Sequence, residues 1–215
     1  AYVGYMYGTP GSDTYEETHA NINNSTIKTV LDNWYKENLS SYASYLADSG
    51  FCGDRSIAST AGLWDSNDTA LGYGRNRTYY EAYNIYANEY QPQFLCPQSQ
   101  DLYTTSNSTK GNKALDYPIG LITFDESVYA GGSLSVEEGP KANESYYLNT
   151  GDWYWGITPV VFNGSHANVG LVRSNGALGI DFVSLFGGVR SVINLRSNIE
   201  ITHGDGTSSN PYVIT

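Results

Sequence analysis

The chain has 215 residues and a formal net charge of −11, with 11 Lys and Arg residues against 22 Asp and Glu residues. Because the cations are few and scattered, the sequence argues against a nucleic-acid partner, which requires clustered positive charge. No apolar run approaches the length of a membrane span, and no signal peptide is recognisable. The chain holds 20 Tyr residues but only 15% charged residues, a composition typical of secreted or displayed binding proteins. With no low-complexity linker, we expect a single domain over residues 1–215.

The first helix is predicted to begin after Asn24 or Ser25, because either side chain can cap a helix. Its apolar stripe recurs at helical spacing and predicts core side chains at Ile27, Val30, Leu31, Trp34 and Leu39. The helix is expected to continue or restart as far as Gly50, and residues 56–77 are predicted to form a long surface loop. Residues 1–7, which precede the first helix, are strand-like. The sequence starts abruptly at this strand, so we expect that upstream sequence has been removed.

Two capping-box patterns predict the other helices. A Thr-x-x-Glu pattern at Thr78 predicts a second helix that ends at Pro92. Its tyrosines recur at spacings of four, three and four, which indicates either a half-buried aromatic face or a sugar-stacking platform: Tyr79, Tyr83, Tyr86 and Tyr90. The same pattern at Thr123 predicts a short third helix over residues 125–130.

The later part of the chain has the alternation of strands. Residues 153–155 are predicted to form a central strand with aromatic side chains on both faces, and residues 169–173 and 189–195 also alternate as strands do. The tail predicts a hairpin between residues 198–202 and 212–214. Helices early and antiparallel strands late indicate an α+β domain.

Cys52 and Cys96 are the only cysteines. We expect them to form a disulfide in an oxidising compartment, and two buried free thiols are the alternative. Their spacing excludes a Cys-x-x-Cys metal or redox site.

A compositional bias marks residues 156–187, a window that lacks Lys, Glu, Gln, Met and Trp. The remaining residue types are those encoded by codons that end in a pyrimidine. Random mutation of the adenines in codons such as those of asparagine, with the final pyrimidine kept, would give this set. The alternative is a set of short strands and Gly/Asn turns, which also disfavour Lys and Glu. Residues 180–186 show no clean alternation and are predicted to form a loop. Its large side chains, Phe182, Leu185 and Phe186, would be exposed, as at contact surfaces.

Five stretches together resemble a known family. They are LDNWYKENL with Trp34 and Tyr35, GFCGDR around Cys52, YPIGLITFDE at 117–126, the stretch 153–159, and GGVRSVINL at 187–195. The chain resembles surface domains of gut bacteria and their phages, which look related to the C-type lectin fold. That fold is shared by formylglycine-generating-enzyme-like domains and by the variable proteins of diversity-generating retroelements. The chain departs from the pattern at Ser191, where proline is expected, so the turn there is less rigid than the family implies.

The resemblance implies a C-type-lectin-like α+β fold, in which the terminal strands pair and two or three helices pack on a mixed, mostly antiparallel sheet. It further implies that the biased window carries a solvent-exposed ligand site on a rigid scaffold. The scaffold would include Trp153, Trp155, Val189, Arg190 and Ile193. The expected ligand contacts are Val161, Phe162, Asn163, His166, Asn168, Arg173, Asp181, Phe182, Leu185 and Phe186.

Enzymatic motifs are lacking in the sequence. The three histidines have no metal-ligand spacing, no nucleophile or dinucleotide fingerprint is present, and no cofactor is expected. Asp65, Asn67 and Asp68 form a fragment of a calcium loop, but the required glycine and glutamate are absent at their offsets. The triplet with which animal C-type lectins bind calcium and sugar, Glu-Pro-Asn or Gln-Pro-Asp, is also absent.

We therefore expect a non-enzymatic, displayed binding protein, diversified in its C-terminal loops, that recognises a protein or glycan ligand. Its expected location is extracellular, on a cell surface or a phage particle. Two alternatives stay open. One is a structural surface module of pilin or adhesin type. The other is a divergent enzyme of the formylglycine-generating type, which would require a free reactive thiol.

Overall fold

The computed structural model describes residues 20–21, 24–58, 78–83, 91–132, 148–162, 166–207 and 209–215. Several predictions therefore lie outside the described residues: the strand over 1–7, most of the loop over 56–77 with its calcium-loop fragment, and the second helix beyond Tyr83. The described part is an α+β fold with mostly antiparallel strand pairing.

The helices within the described residues are few and short. The α-helices are α1 (Thr26–Asn38) and α2 (Phe124–Tyr129). Two 3-10 helices cover Ser40–Tyr45 and Ser99–Asp101.

In the part of the chain that the structure describes, the strands form one four-stranded sheet and three two-stranded pairs. In chain order they are β1 (Leu46–Ala47), β2 (Phe51–Cys52), β3 (Thr78–Tyr79), β4 (Leu102–Tyr103), β5 (Tyr154–Phe162), β6 (Ala167–Val172), β7 (Leu178–Phe182), β8 (Asn194–Leu195), β9 (Ile201–His203) and β10 (Val213–Ile214). The central sheet has the order β3-β5-β6-β7 and is antiparallel throughout. The pairs are β1 with β8, β2 with β4, and β9 with β10.

The central sheet is buried on both faces. On one face, Trp155 and Leu171 join an apolar cluster that includes residues of α1. On the other face, Val160 and Val172 join a second cluster. Apolar side chains therefore occupy consecutive positions of β5 and β6, which explains why these strands do not alternate simply between apolar and polar residues.

Helix α1 covers the first face. Ser25 is its N-cap and accepts a hydrogen bond from the Lys28 backbone N–H at 3.1 Å. The buried apolar residues of the helix are Ile27, Leu31 and Tyr35. The prediction that Val30 and Trp34 are core residues is wrong, because both side chains are exposed and Tyr35 points into the core in their place. After the helix the chain restarts as a 3-10 helix, as predicted, but Leu46 then enters strand β1.

Helix α2 covers the second face and confirms the predicted third helix. Thr123 caps it through a complete capping box: the Thr123 side chain accepts from the Glu126 N–H at 3.0 Å, and Glu126 accepts from the Thr123 N–H at 2.9 Å. The first residue of the helix, Phe124, packs its ring directly on Gly170 of β6, where any Cβ would overlap the ring. Glycine at this position therefore allows the helix to approach the sheet closely.

The predicted disulfide between Cys52 and Cys96 is present. It ties β2 to the segment before β4, and a buried ion pair lies beside it. Asp101 is fully buried. Its carboxylate accepts hydrogen bonds from Nε and from the backbone N–H of Arg55, each at 2.7 Å. The Nη2 atom of Arg55 lies 2.6 Å from Oδ1 of the same carboxylate. Arg55 also donates to the carbonyl of Gln100 at 3.2 Å. These contacts fix residues 52–55 against residues 96–101.

Three local predictions are corrected. Thr78 does not cap a helix, because Thr78–Tyr79 is strand β3, paired with β5, and the chain becomes helical only at residues 81–83. The predicted strand over 189–195 is mostly irregular: it makes a bridge from Val192 to Gly120 and becomes a strand only at β8. The predicted loop over 180–186 begins within strand β7 and turns only after Phe182.

The tail forms a hairpin in which β9 and β10 pair antiparallel, close to the predicted positions. Among the described residues, no helix combines the length and apolar composition needed to cross a membrane.

Replacing Asp101 by Asn tests the importance of the buried ion pair. The variant removes the carboxylate charge that the buried Arg55 guanidinium contacts, so we expect the free energy of unfolding to fall by about 3–5 kcal/mol in urea titrations. The control is Asp116→Asn, which removes a more exposed partner of Lys28, 2.7 Å away, and should cost about 1 kcal/mol or less. Equal losses in the two variants would contradict the structural role assigned to Asp101.

Candidate functional site

The β6–β7 hairpin separates Arg173 from two other predicted contact residues, His166 and Phe182. Arg173 lies in the turn that joins the strands, where its carbonyl accepts from the Gly176 N–H at 2.8 Å. His166 and Phe182 lie at the opposite end of the hairpin. Because β6 has six residues and a strand rises about 3.3 Å per residue, the two ends are about 20 Å apart. Arg173 is therefore remote from His166 and Phe182, and the predicted residues do not all form one patch.

A row of side chains crosses the central sheet at this opposite end. Tyr79 pairs with Val161, Val161 with Asn168, and Asn168 with Phe182. Directly paired residues of antiparallel strands share a face, so the four side chains are neighbours. Val161 and Asn168 are each only 8% exposed, whereas Phe182 is half-buried. A ligand could reach the Phe182 end of the row, but little of Val161 or Asn168.

Aromatic and polar groups meet at the end of β7. The His166 side chain is exposed, and its ring centroid lies 4.6 Å from that of Phe182, with 33° between the planes. The neighbouring Asp181 is half-buried and its carboxylate accepts from the Phe182 N–H at 2.8 Å. Phe162, also half-buried, pairs with Ala167 at the adjacent end of β5. Asn163 lies outside the described residues.

The turn after β7 carries the most exposed apolar side chains of the predicted set. Leu185 is 40% exposed and Phe186 is 78% exposed. The turn begins with a hydrogen bond from the Leu185 N–H to the Phe182 carbonyl at 3.0 Å. We define the β7-end surface as His166, Phe182, Leu185 and Phe186.

A pair of tryptophans holds this turn in place. Trp153 and Trp155 pack edge to face, with ring centroids 5.0 Å apart. A Cβ at Gly187 would lie 2.5 Å from the Trp153 ring, so the backbone after Phe186 rests directly on the pair. The next residue, Gly188, exchanges backbone hydrogen bonds with Trp153 and Trp155 at 3.3 and 3.1 Å. Phe186 therefore projects from an anchored backbone.

The residues expected to form the scaffold have different environments. Trp155 is fully buried, and Trp153, Val189 and Ile193 are partly buried and pack against the same apolar cluster. Arg190 is exposed, and its guanidinium lies 5.1 Å from the centroid of the Tyr154 ring.

Tyr79 is a neighbour of this site that the sequence analysis assigned to a helix. Its ring packs edge to face on Tyr83, with centroids 5.3 Å apart. The available signal was the Thr-Tyr-Tyr triplet at 78–80, because β-branched and aromatic residues favour strands.

The β7-end surface combines two phenylalanine rings and a leucine with an imidazole. Aromatic side chains, Phe among them, are enriched at protein interfaces. Across the described ranges, no group of three or more His, Cys, Asp or Glu residues is arranged to hold a metal ion.

Comparisons of the chain with models of known protein families, with curated proteins and with solved structures found no match.

A pair of substitutions tests the division between buried and displayed members of the predicted set. Val161→Ala removes two buried methyl groups, so we expect it to lower the free energy of unfolding by about 2 kcal/mol. Phe186→Ala removes a larger but exposed side chain and should change it by about 0.5 kcal/mol or less. Urea denaturation of the two variants measures both values. A large loss for Phe186→Ala would place that ring in the core.

Proposed function

We propose that the protein is a displayed, non-enzymatic binding protein that recognises a protein or glycan ligand through the β7-end surface. The observation that carries the proposal is the exposure of Phe186 and Leu185 on a turn whose following residue, Gly187, rests on the Trp153–Trp155 pair. Large apolar side chains that project from fixed backbone favour binding, because little backbone conformational entropy is lost when a ligand covers them.

The proposal includes a C-type-lectin-like fold, which rests on the sequence resemblance, and diversification by a retroelement. Two findings support the diversification: the biased composition of residues 156–187, and the exposure of Leu185 and Phe186 within that window. Exposed side chains contribute little to the core, so many residue types can be accepted there without loss of the fold.

The proposed location is extracellular, on a cell surface or a phage particle. The Cys52–Cys96 disulfide supports it, because such bonds persist in oxidising compartments. The disulfide also weighs against the formylglycine-generating alternative. Both cysteines of the chain are joined to each other, so neither offers a thiolate while the bond is intact.

Sequencing the 3′ end of the gene across its source population tests the diversification. We expect substitutions at codons of exposed residues, chiefly His166, Leu185 and Phe186, together with a template repeat and a reverse-transcriptase gene nearby. The internal control is the set of codons for buried residues of β6, such as Val169 and Leu171. These codons should be constant, because changes at the encoded residues disrupt the core. An invariant window without a repeat would favour a fixed structural surface module.

Alanine substitutions test the binding surface directly. Once a ligand is found on a glycan array or a panel of surface proteins, Phe186→Ala and Phe182→Ala should weaken binding by about tenfold or more, since aromatic anchors dominate binding energy. The measurement is the dissociation constant by calorimetry. The matched control is Tyr212→Ala, which removes an exposed aromatic ring from the C-terminal tail and should leave the constant unchanged. Loss of binding in the control alone would place the ligand on the tail.

A further inference from the structure

A second surface lies beside the disulfide, and none of its described lining residues belongs to the β7-end surface. It is a cleft of about 710 Å³ between β2, the segment 91–97 and the start of α2, with Cys52, Cys96 and Thr158 among its lining residues. Its volume is in the range of ligand-binding sites, roughly 300–1,000 Å³.

The lip of this cleft is apolar and exposed. Phe94 and Leu95 line it and are 63% and 81% exposed. The Phe94 ring packs edge to face on Tyr129 of α2, which is 74% exposed, with centroids 5.0 Å apart. Three large exposed apolar side chains in one place are typical of a contact surface.

The lip is held at two points. Cys96 is joined to Cys52, and the Gln93 backbone N–H donates to the Asp125 carboxylate at 2.7 Å. Phe94 and Leu95 lie between these two fixed residues. The backbone that presents them is therefore ordered before a partner arrives, which reduces the entropic cost of binding.

The interior of the cleft is acidic. Among its described lining residues there are four carboxylates and one cation, Lys110. The carboxylates belong to Asp54, Glu81, Asp125 and Glu126. Burial raises the pKa of Asp54, and repulsion from Asp101 and Glu81 raises it further. Burial likewise raises the pKa of Asp125, with further repulsion from Asp54 and Glu126. These carboxylates are thus partly dehydrated and repel one another, so a cation among them would be stabilised.

We propose that this cleft and its lip bind a basic peptide segment of a partner protein. A lysine or arginine side chain enters the cleft and pairs with Asp54 and Asp125, and a neighbouring apolar residue of the segment covers Phe94 and Leu95. Charge complementarity selects the cationic side chain. The apolar lip selects a peptide, because a small cation inside the cleft would leave Phe94, Leu95 and Tyr129 exposed.

The test uses the full chain and a short fluorescent peptide in which lysine alternates with leucine, with fluorescence anisotropy as the measurement. Asp54→Asn with Asp125→Asn should weaken binding by about tenfold, since partly buried charge pairs contribute more than exposed ones. The amides keep an acceptor for the Ser56 and Gln93 N–H groups, which supports folding. The control, Asp152→Asn with Glu200→Gln, removes the same charge outside the cleft and should bind as the native protein does.

Two further arms test the peptide's contact with the lip. Phe94→Ser with Leu95→Ser changes exposed side chains, so the fold should be kept and the affinity should fall. Spermidine should displace the peptide poorly. The proposal is overturned if the native protein does not bind the peptide, if the control loses as much affinity as the cleft variant, if the lip variant binds fully, or if spermidine competes as well as unlabelled peptide.

Discussion

Trp155 and Val160 lie on the same strand, have no exposed surface, and pack into different apolar clusters. The central sheet is thus covered on both faces, by α1 on one side and α2 on the other. Antiparallel sheets commonly have one solvent-exposed face, which can carry polar or variable residues. Here β5 and β6 offer little such surface. Positions that can change without loss of the core are therefore confined to strand ends and the turns between them.

Rigid anchors lie directly behind both surfaces that we propose to bind partners. Gly187 rests on the Trp153–Trp155 pair behind the β7-end surface. The Cys52–Cys96 disulfide holds the lip of the acidic cleft, and the Arg55–Asp101 pair reinforces the same region from within the core. In each case the exposed apolar side chains project from backbone that is already fixed. Ordering costs on binding are then limited to the side chains.

Local patterns predicted the fold only where tertiary contacts agree with them. The Thr-x-x-Glu pattern at Thr123 forms a complete capping box, whereas the same pattern at Thr78 does not, because Thr78 pairs with Phe162 of β5. In α1 the spacing of apolar residues predicted the helix but not its buried side. Trp34 and Tyr35 are adjacent and both aromatic, and only packing against the sheet selects Tyr35. The disulfide could be predicted because the chain has only two cysteines.

The candidate sites were harder to predict for the same reason. Val161 is buried and Phe186 is exposed, but both belong to the biased window. The amino-acid composition of a window does not show which of its side chains are buried. Asp54 and Asp125 are far apart in sequence and share a cleft only because the disulfide and α2 bring their segments together. A surface that varies must also avoid positions where a new side chain would disturb the core. Within the biased window, the β7-end surface meets that condition, since Leu185 and Phe186 follow the last strand of the sheet and lie outside both apolar clusters.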